Sequence, residues 1–173
     1  AVAFVVIGAA AVLRGMFVNR DDTTAADPLR LSFTLTATQE LLSSSNAVLG
    51  FAPDGRSLVF AGRTNGRRVL FRRDLGGREP VPIPGTDDGE AVFFSPDGRW
   101  IGFVSGGQIM KVPAEGGRPF RVADLRGDSG CAWLRDGTIV FTPVYSDGLF
   151  RVPAEGGTVT RLTTPDRSSG VLG

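Results

Sequence analysis

Asp54, Asp97 and Asp136 each stand directly before a glycine, 43 and then 39 residues apart. Recurring carboxylates suit acid–base chemistry or cation binding. Their surroundings argue for a turn instead, because Pro53 and Pro96 preset φ for the second position of a type I turn, and Gly55, Gly98 and Gly137 supply the left-handed residue that follows. A second acidic group, Asp87-Asp88-Gly89-Glu90, lacks the alternating oxygen ligands of a calcium loop and predicts an exposed turn. Gly127-Asp128-Ser129-Gly130 imitates the loop around a serine nucleophile, but the chain has no histidine to serve as its base. Cys131 is the only cysteine, which excludes an intrachain disulfide and any Cys/His metal site; placed before Ala132-Trp133, it predicts a buried small hydrophobe. No catalytic, cofactor-binding or metal-ligating residue is assigned.

The basic side chains carry little nucleic-acid signal. Arg63, Arg67, Arg68, Arg72, Arg73 and Arg78 lie close together, yet only Phe71 stands among them as a stacking aromatic. The 19 basic residues are balanced by 18 acidic ones, for a net charge of +1, so there is no general field to attract a polyanion. The expectation is a charged outer strand and no nucleic-acid partner.

The segments that position these residues are written three times. FAPDGRSLVF (51–60), FSPDGRWIGF (94–103) and WLRDGTIVF (133–141) each read as strand, tight turn and strand, with β-branched and aromatic residues on both sides of the turn. A second landmark, VPAEGG, occurs at Val112–Gly117 and Val152–Gly157, with Asp74-Leu75-Gly76-Gly77 as a degenerate first copy. After each Gly-Gly comes another short strand, at 78–83, 118–122 and 158–162. Four-stranded units at about forty-residue spacing are the signature of propeller blades. The expected fold is all-β: a partial β-propeller of three four-stranded blades at about 47–85, 89–126 and 129–165, within a propeller region 29–173. Phe51, Phe60, Phe94, Phe103, Trp133 and Phe141 recur at matched places and are expected between adjacent blades. A β-sandwich would explain the alternation but not the matched offsets.

The first eighteen residues, AVAFVVIGAAAVLRGMFV, are uncharged until Arg14. They read as the C-terminal part of a transmembrane helix, with Arg14 near its exit, followed by a polar linker at 19–28. A signal peptide cleaved near Thr24-Ala25-Ala26 and a buried core helix are the competing readings. The chain does not start with methionine, and Ser168–Gly173 repeats the pattern that opens the first blade at Ser44–Gly50, so the reading frame is expected to extend both ways.

Phe-Ser-Pro-Asp-Gly-Arg before an apolar strand, with a later strand ending in Pro-Ala-Glu-Gly-Gly, resembles the TolB-type propeller repeat over residues 47–165. The order of apolar helix, linker, Leu31-Ser32-Phe33-Thr34-Leu35 and blades with FFSPDGRWIGF, QIMKVPAEGG, TIVFTP and LFRVPAEGG resembles the extracytoplasmic region of bacterial membrane-anchored serine/threonine protein kinases. That resemblance implies a single-pass protein with its propeller outside the cytoplasm as a non-catalytic sensor or binding module. Its partner would be a protein or small ligand at the propeller loops, with the membrane engaged through residues 1–18. It places a kinase domain upstream, with ATP and magnesium bound there only; no kinase motif lies in these residues. The alternatives are a TolB-like periplasmic scaffold and the propeller of a prolyl oligopeptidase-like hydrolase.

Overall fold

The computed structural model describes residues 40–41, 49–77, 79–125, 130–143 and 148–165. The expected membrane helix (1–18), the linker (19–28) and the strand at Leu31–Leu35 lie outside them. Among the described residues there is no helix, so none that could cross a membrane.

Each Asp-Gly turn closes a hairpin as its residue types require, and each hairpin grows into an antiparallel sheet. The first sheet contains β1 (Glu40–Leu41), β2 (Leu49–Phe51), β3 (Ser57–Thr64), β4 (Arg67–Asp74) and β5 (Val81–Pro82). The second runs β6 (Glu90–Phe94), β7 (Trp100–Ser105), β8 (Gln108–Pro113) and β9 (Phe120–Asp124); the third runs β10 (Cys131–Trp133), β11 (Thr138–Phe141), β12 (Phe150–Pro153) and β13 (Thr160–Arg161). From β2 onward in the first sheet, and throughout the other two, strands adjacent in sequence are neighbours in the sheet. The first sheet has one addition that no motif announced. β3 extends past its pairing with β2, and β1 fills the rest of that edge through Glu40↔Arg63 and Leu41↔Gly62.

The core lies between sheets. Val59, Ala61, Leu70 and Ile83 of the first sheet join Val92, Ile101, Phe103 and Val112 of the second in one buried cluster. A second cluster joins Phe93, Val104, Ile109 and Ala123 to Ile139, Phe141, Val152 and Ala154 of the third sheet. Gly102, in the middle of β7, leaves room for the Phe93 ring from the paired strand; a methyl there would collide with it.

The six matched aromatics divide by strand. Phe60, Phe103 and Phe141, after the turn, are buried at 0%, 1% and 2% exposure. Those before it are not: Phe51 is 54% exposed, and Phe94 and Trp133 are half-buried. The second group sits opposite Leu58, Ile101 and Ile139, on the face turned towards the preceding sheet. Phe94 and Trp133 have such a sheet to lean on. Phe51 belongs to the first sheet and has none before it among the described residues.

Candidate functional site

The three aspartates hold equivalent turn positions. Oδ1 of Asp54, Asp97 and Asp136 accepts the backbone N–H of Arg56, Arg99 and Thr138 at 2.9, 3.0 and 2.9 Å. Gly55, Gly98 and Gly137 follow at φ 66°, 71° and 81°, where a side chain would be strained. The second turn is the most elaborate. Ser95 donates its hydroxyl to Asp97 Oδ1 at 2.6 Å and accepts the Trp100 N–H at 2.9 Å, while Arg99 Nε reaches Asp97 Oδ2 at 2.6 Å. The Ser95 hydroxyl, then the Arg99 backbone N–H and side chain, hold the Asp97 carboxyl down at about 2. Asp136 is also lowered, chiefly by the Thr138 N–H. Such carboxylates are fixed acceptors and do not exchange protons near neutral pH.

These turns gather at one end of the sheets and leave clefts between them. The cleft between the first two sheets is about 170 Å³ and contains Asp54, Phe94 and Asp97. The one between the second and third is about 440 Å³ and is lined in part by Arg99, Trp100, Trp133, Leu134, Arg135 and Asp136. The third turn reaches its next strand one residue sooner, since Asp136 precedes Thr138 by two whereas Asp97 precedes Trp100 by three. Leu134 and Arg135 also replace the Ser-Pro of the second turn. The cleft walls are fixed by packing: Trp100 meets Phe120 edge-on at 5.8 Å, and Trp133 lies 6.3 Å from Phe93. Leu134 is 43% exposed, and Arg99 and Arg135 face solvent. Half-buried tryptophan beside arginine is the composition of protein-binding hot spots.

Sequence reading did not anticipate how the sheets are clasped. Arg72 in β4 donates to Glu115 Oε1 of the next sheet's Pro-Ala-Glu-Gly-Gly turn at 2.8 Å. Lys111 in β8 repeats this with Glu155 of the third sheet at 2.8 Å, its Nζ also 4.7 Å from the Trp100 ring centroid. The Glu115 hydrogen bond raises Arg72 above its ordinary value. Gly116, at φ 88°, packs so close to the preceding sheet that a Cβ would lie 2.7 Å from Pro84 Cδ. The signal was available: Arg72, Lys111 and Arg151 each stand two residues before the residue that opens the Gly-Gly turn.

The remaining singled-out residues fall elsewhere. Arg68 pairs with Glu90 at 2.9 Å, so one member of the acidic group spans two sheets, while Asp87 and Asp88 are exposed. Arg63 and Arg67 line a groove of about 480 Å³ together with Asp88 and Glu90, so basic and acidic groups share its walls. Arg78 lies outside the described residues, as do Gly127, Asp128 and Ser129. Cys131 is half-buried against the second core cluster, and burial pushes its thiol up to about 12. No group of three or more acidic or cysteine side chains that could hold a metal occurs among the described residues.

No protein-family model matches the chain, and no curated protein sequence matches it. Solved structures do. A protein assigned as TolB from Agrobacterium tumefaciens is 22% identical with a TM-score of 0.51, the match covering 68% of this chain and 50% of that one. TolB from Acinetobacter baumannii is 23% identical with a TM-score of 0.53, covering 70% and 33%. A chain of the nidogen/laminin complex is 16% identical with a TM-score of 0.53, covering 65% and 45%. At these identities the likeness is one of fold, and the fold is a partial β-propeller. The chain spans half or less of each of these structures.

Proposed function

We propose that the chain is the non-catalytic, protein-binding propeller segment of a larger membrane-anchored protein, and that it grips its partner in the cleft between the second and third sheets. The carrying observation is the cleft's composition: Trp100 and Trp133 held rigidly by neighbouring rings, flanked by solvent-facing Arg99, Leu134 and Arg135. Rigid aromatic anchors lose little entropy on binding, and exposed arginines add directed hydrogen bonds. The uncharged run before Arg14 supports an anchor at residues 1–18, and the motif order supports a parent resembling a bacterial serine/threonine protein kinase with its propeller outside the cytoplasm.

A photo-cross-linking side chain at Leu134 of the full-length protein in its native cells tests this. Adducts to an extracytoplasmic protein are expected, and Arg135→Glu or Trp133→Ala should remove them. Adducts unchanged by both substitutions refute the cleft. A reporter fused after residue 165 that is active only in the cytoplasm refutes the topology. An upstream sequence that encodes an n-region and start codon replaces the kinase-linked reading with the TolB-like scaffold.

A further inference from the structure

The β3–β4 hairpin is longer than its repeat requires. With Phe60↔Phe71 and Phe103↔Met110 in register, Gly62↔Val69 corresponds to Ser105↔Gln108, the pair at which the second sheet turns through Gly106-Gly107. The first sheet runs on through Arg63↔Arg68 and Thr64↔Arg67 before it turns at Asn65-Gly66. This overhang adds nothing to the core: Arg63, Asn65, Gly66 and Arg67 are exposed, and Thr64 and Arg68 are half-buried. It also sets Arg63 directly opposite Arg68, and like charges so placed destabilise an antiparallel pair. Three arginines on an extension that buries nothing break the local rule for a strand pair, and such breaks concentrate at functional sites.

Between the overhang and the second sheet lies the groove of about 480 Å³ that Arg63, Arg67, Arg68, Asp88 and Glu90 line. Successive turns of an antiparallel meander fall at opposite ends, so this groove is at the end away from the Asp-Gly turns and the tryptophan cleft. One arginine shows what the groove holds well: Arg68 Nη1 grips Glu90 Oε2 at 2.9 Å. Arg63 and Arg67 take no carboxylate among the described residues. Asp88 is set in place at φ 54°, a conformation that strains a side chain, with its N–H donated to Arg68 O at 2.9 Å. The Ser105 hydroxyl fixes the same loop through Asp87 O, also at 2.9 Å. The floor is open, since a Cβ at Gly106 would meet nothing within 4 Å.

We propose that this groove is a second binding site, for a small zwitterion of the amino-acid class, whose carboxylate is taken by Arg63 and Arg67 and whose ammonium is taken by Asp88. The guanidinium fork matches a carboxylate with two parallel hydrogen bonds. Arg68 and Glu90 already neutralise each other, so two cations and one anion are left to meet the ligand. That balance suits a carboxylate accompanied by an ammonium, and the Asp88 carboxylate disfavours phosphates and other polyanions. A free amino acid and a short peptide both carry the required pair of charged ends.

Saturation-difference NMR on the 173-residue chain reads ligand contact through methyl protons, which L-alanine, trialanine and acetate all carry. Alanine or trialanine should half-saturate the site at a concentration about fivefold or more below that of acetate, and the tighter of the two names the source. Arg63→Gln and Arg67→Gln should each raise that concentration about fivefold or more. Asp88→Asn should bring alanine to the value of acetate and leave acetate where it was. Both arginine variants should keep or raise the urea midpoint, since each removes a like charge from the overhang, so lost binding is not lost folding. A lowered midpoint gives the arginines a structural role and overturns the proposal. So do acetate binding as tightly as alanine, displacement of alanine by equimolar phosphate or by vesicles of anionic lipid, and no saturable signal from alanine or trialanine. Trp133→Ala, at the other end of the sheets, should leave the signal unchanged; its loss there puts the ligand in the tryptophan cleft and overturns the second site. Cross-linking at Leu134 reports on the tryptophan cleft alone, so the two sites fail separately.

Discussion

Phe103→Ala probes the packing that turns separate hairpins into one body. The ring is 1% exposed and sits in the cluster shared by the first two sheets. A buried phenylalanine withdraws about 150–250 Å² from water, worth about 4–6 kcal/mol at about 25 cal/mol per Å². Alanine keeps Cβ, and residual contacts in the denatured chain reduce the sum by about 10–40%. The cavity left among side chains pinned by two sheets works in the other direction, and the net expectation is about 3–5 kcal/mol. With a urea dependence of about 2 kcal/mol per M, the denaturation midpoint should fall by roughly 2 M. Phe51→Ala is the matched control: the same residue type, before the turn and 54% exposed, should cost under about 0.5 kcal/mol. Urea titrations followed by tryptophan fluorescence measure both. A Phe103→Ala cost below about 1 kcal/mol, or equal losses for the two variants, would refute the stacked-sheet core.

Gly102→Ala should destabilise by about 1–3 kcal/mol in the same assay, because the new methyl displaces the Phe93 ring from its seat. Asp97 gives a pH signature: its folded value of about 2 lies below the ordinary 3.8, so its stabilisation is complete above about pH 4 and is lost as pH falls through 2. Acid titration of Asp97→Asn should show a shallower loss of stability across that window than the parent chain. Cys131, with its thiol near 12, should react with a disulfide reagent at pH 8 more than a hundredfold slower than a free cysteine, and denaturant should restore the rate. Thr86→Val should cost about 1–3 kcal/mol, since the 0% exposed hydroxyl accepts the Leu70 N–H and donates to Ile83 O.

Turn chemistry is local, which is why the repeat was legible. Asp97, Gly98 and Pro96 constrain φ and one hydrogen bond within four residues, so their types announce the turn without knowledge of anything distant. Alternation around each turn then supplied the strands and their number. Burial depends on what stacks above a strand, and sequence periodicity does not distinguish Phe51 from Phe60 on that account. The cleft is likewise a relation between turns: the one-residue contraction at Asp136-Gly137 is visible in the sequence, but its effect appears only when the second and third turns stand side by side. β1 escaped notice because two residues carry no period, and its partner is an edge left open by the length of β3.

That edge has a mechanical meaning. β1, the first described strand, is held to β3 by only two residue pairs, whereas β3 and β4 are zipped through eight. A pull delivered at Glu40 loads this two-pair edge first, and the β3–β4 zipper bears load only after β1 has peeled away. The first blade therefore yields in two stages to a force applied at β1, a soft strand first and the β3–β4 hairpin after it.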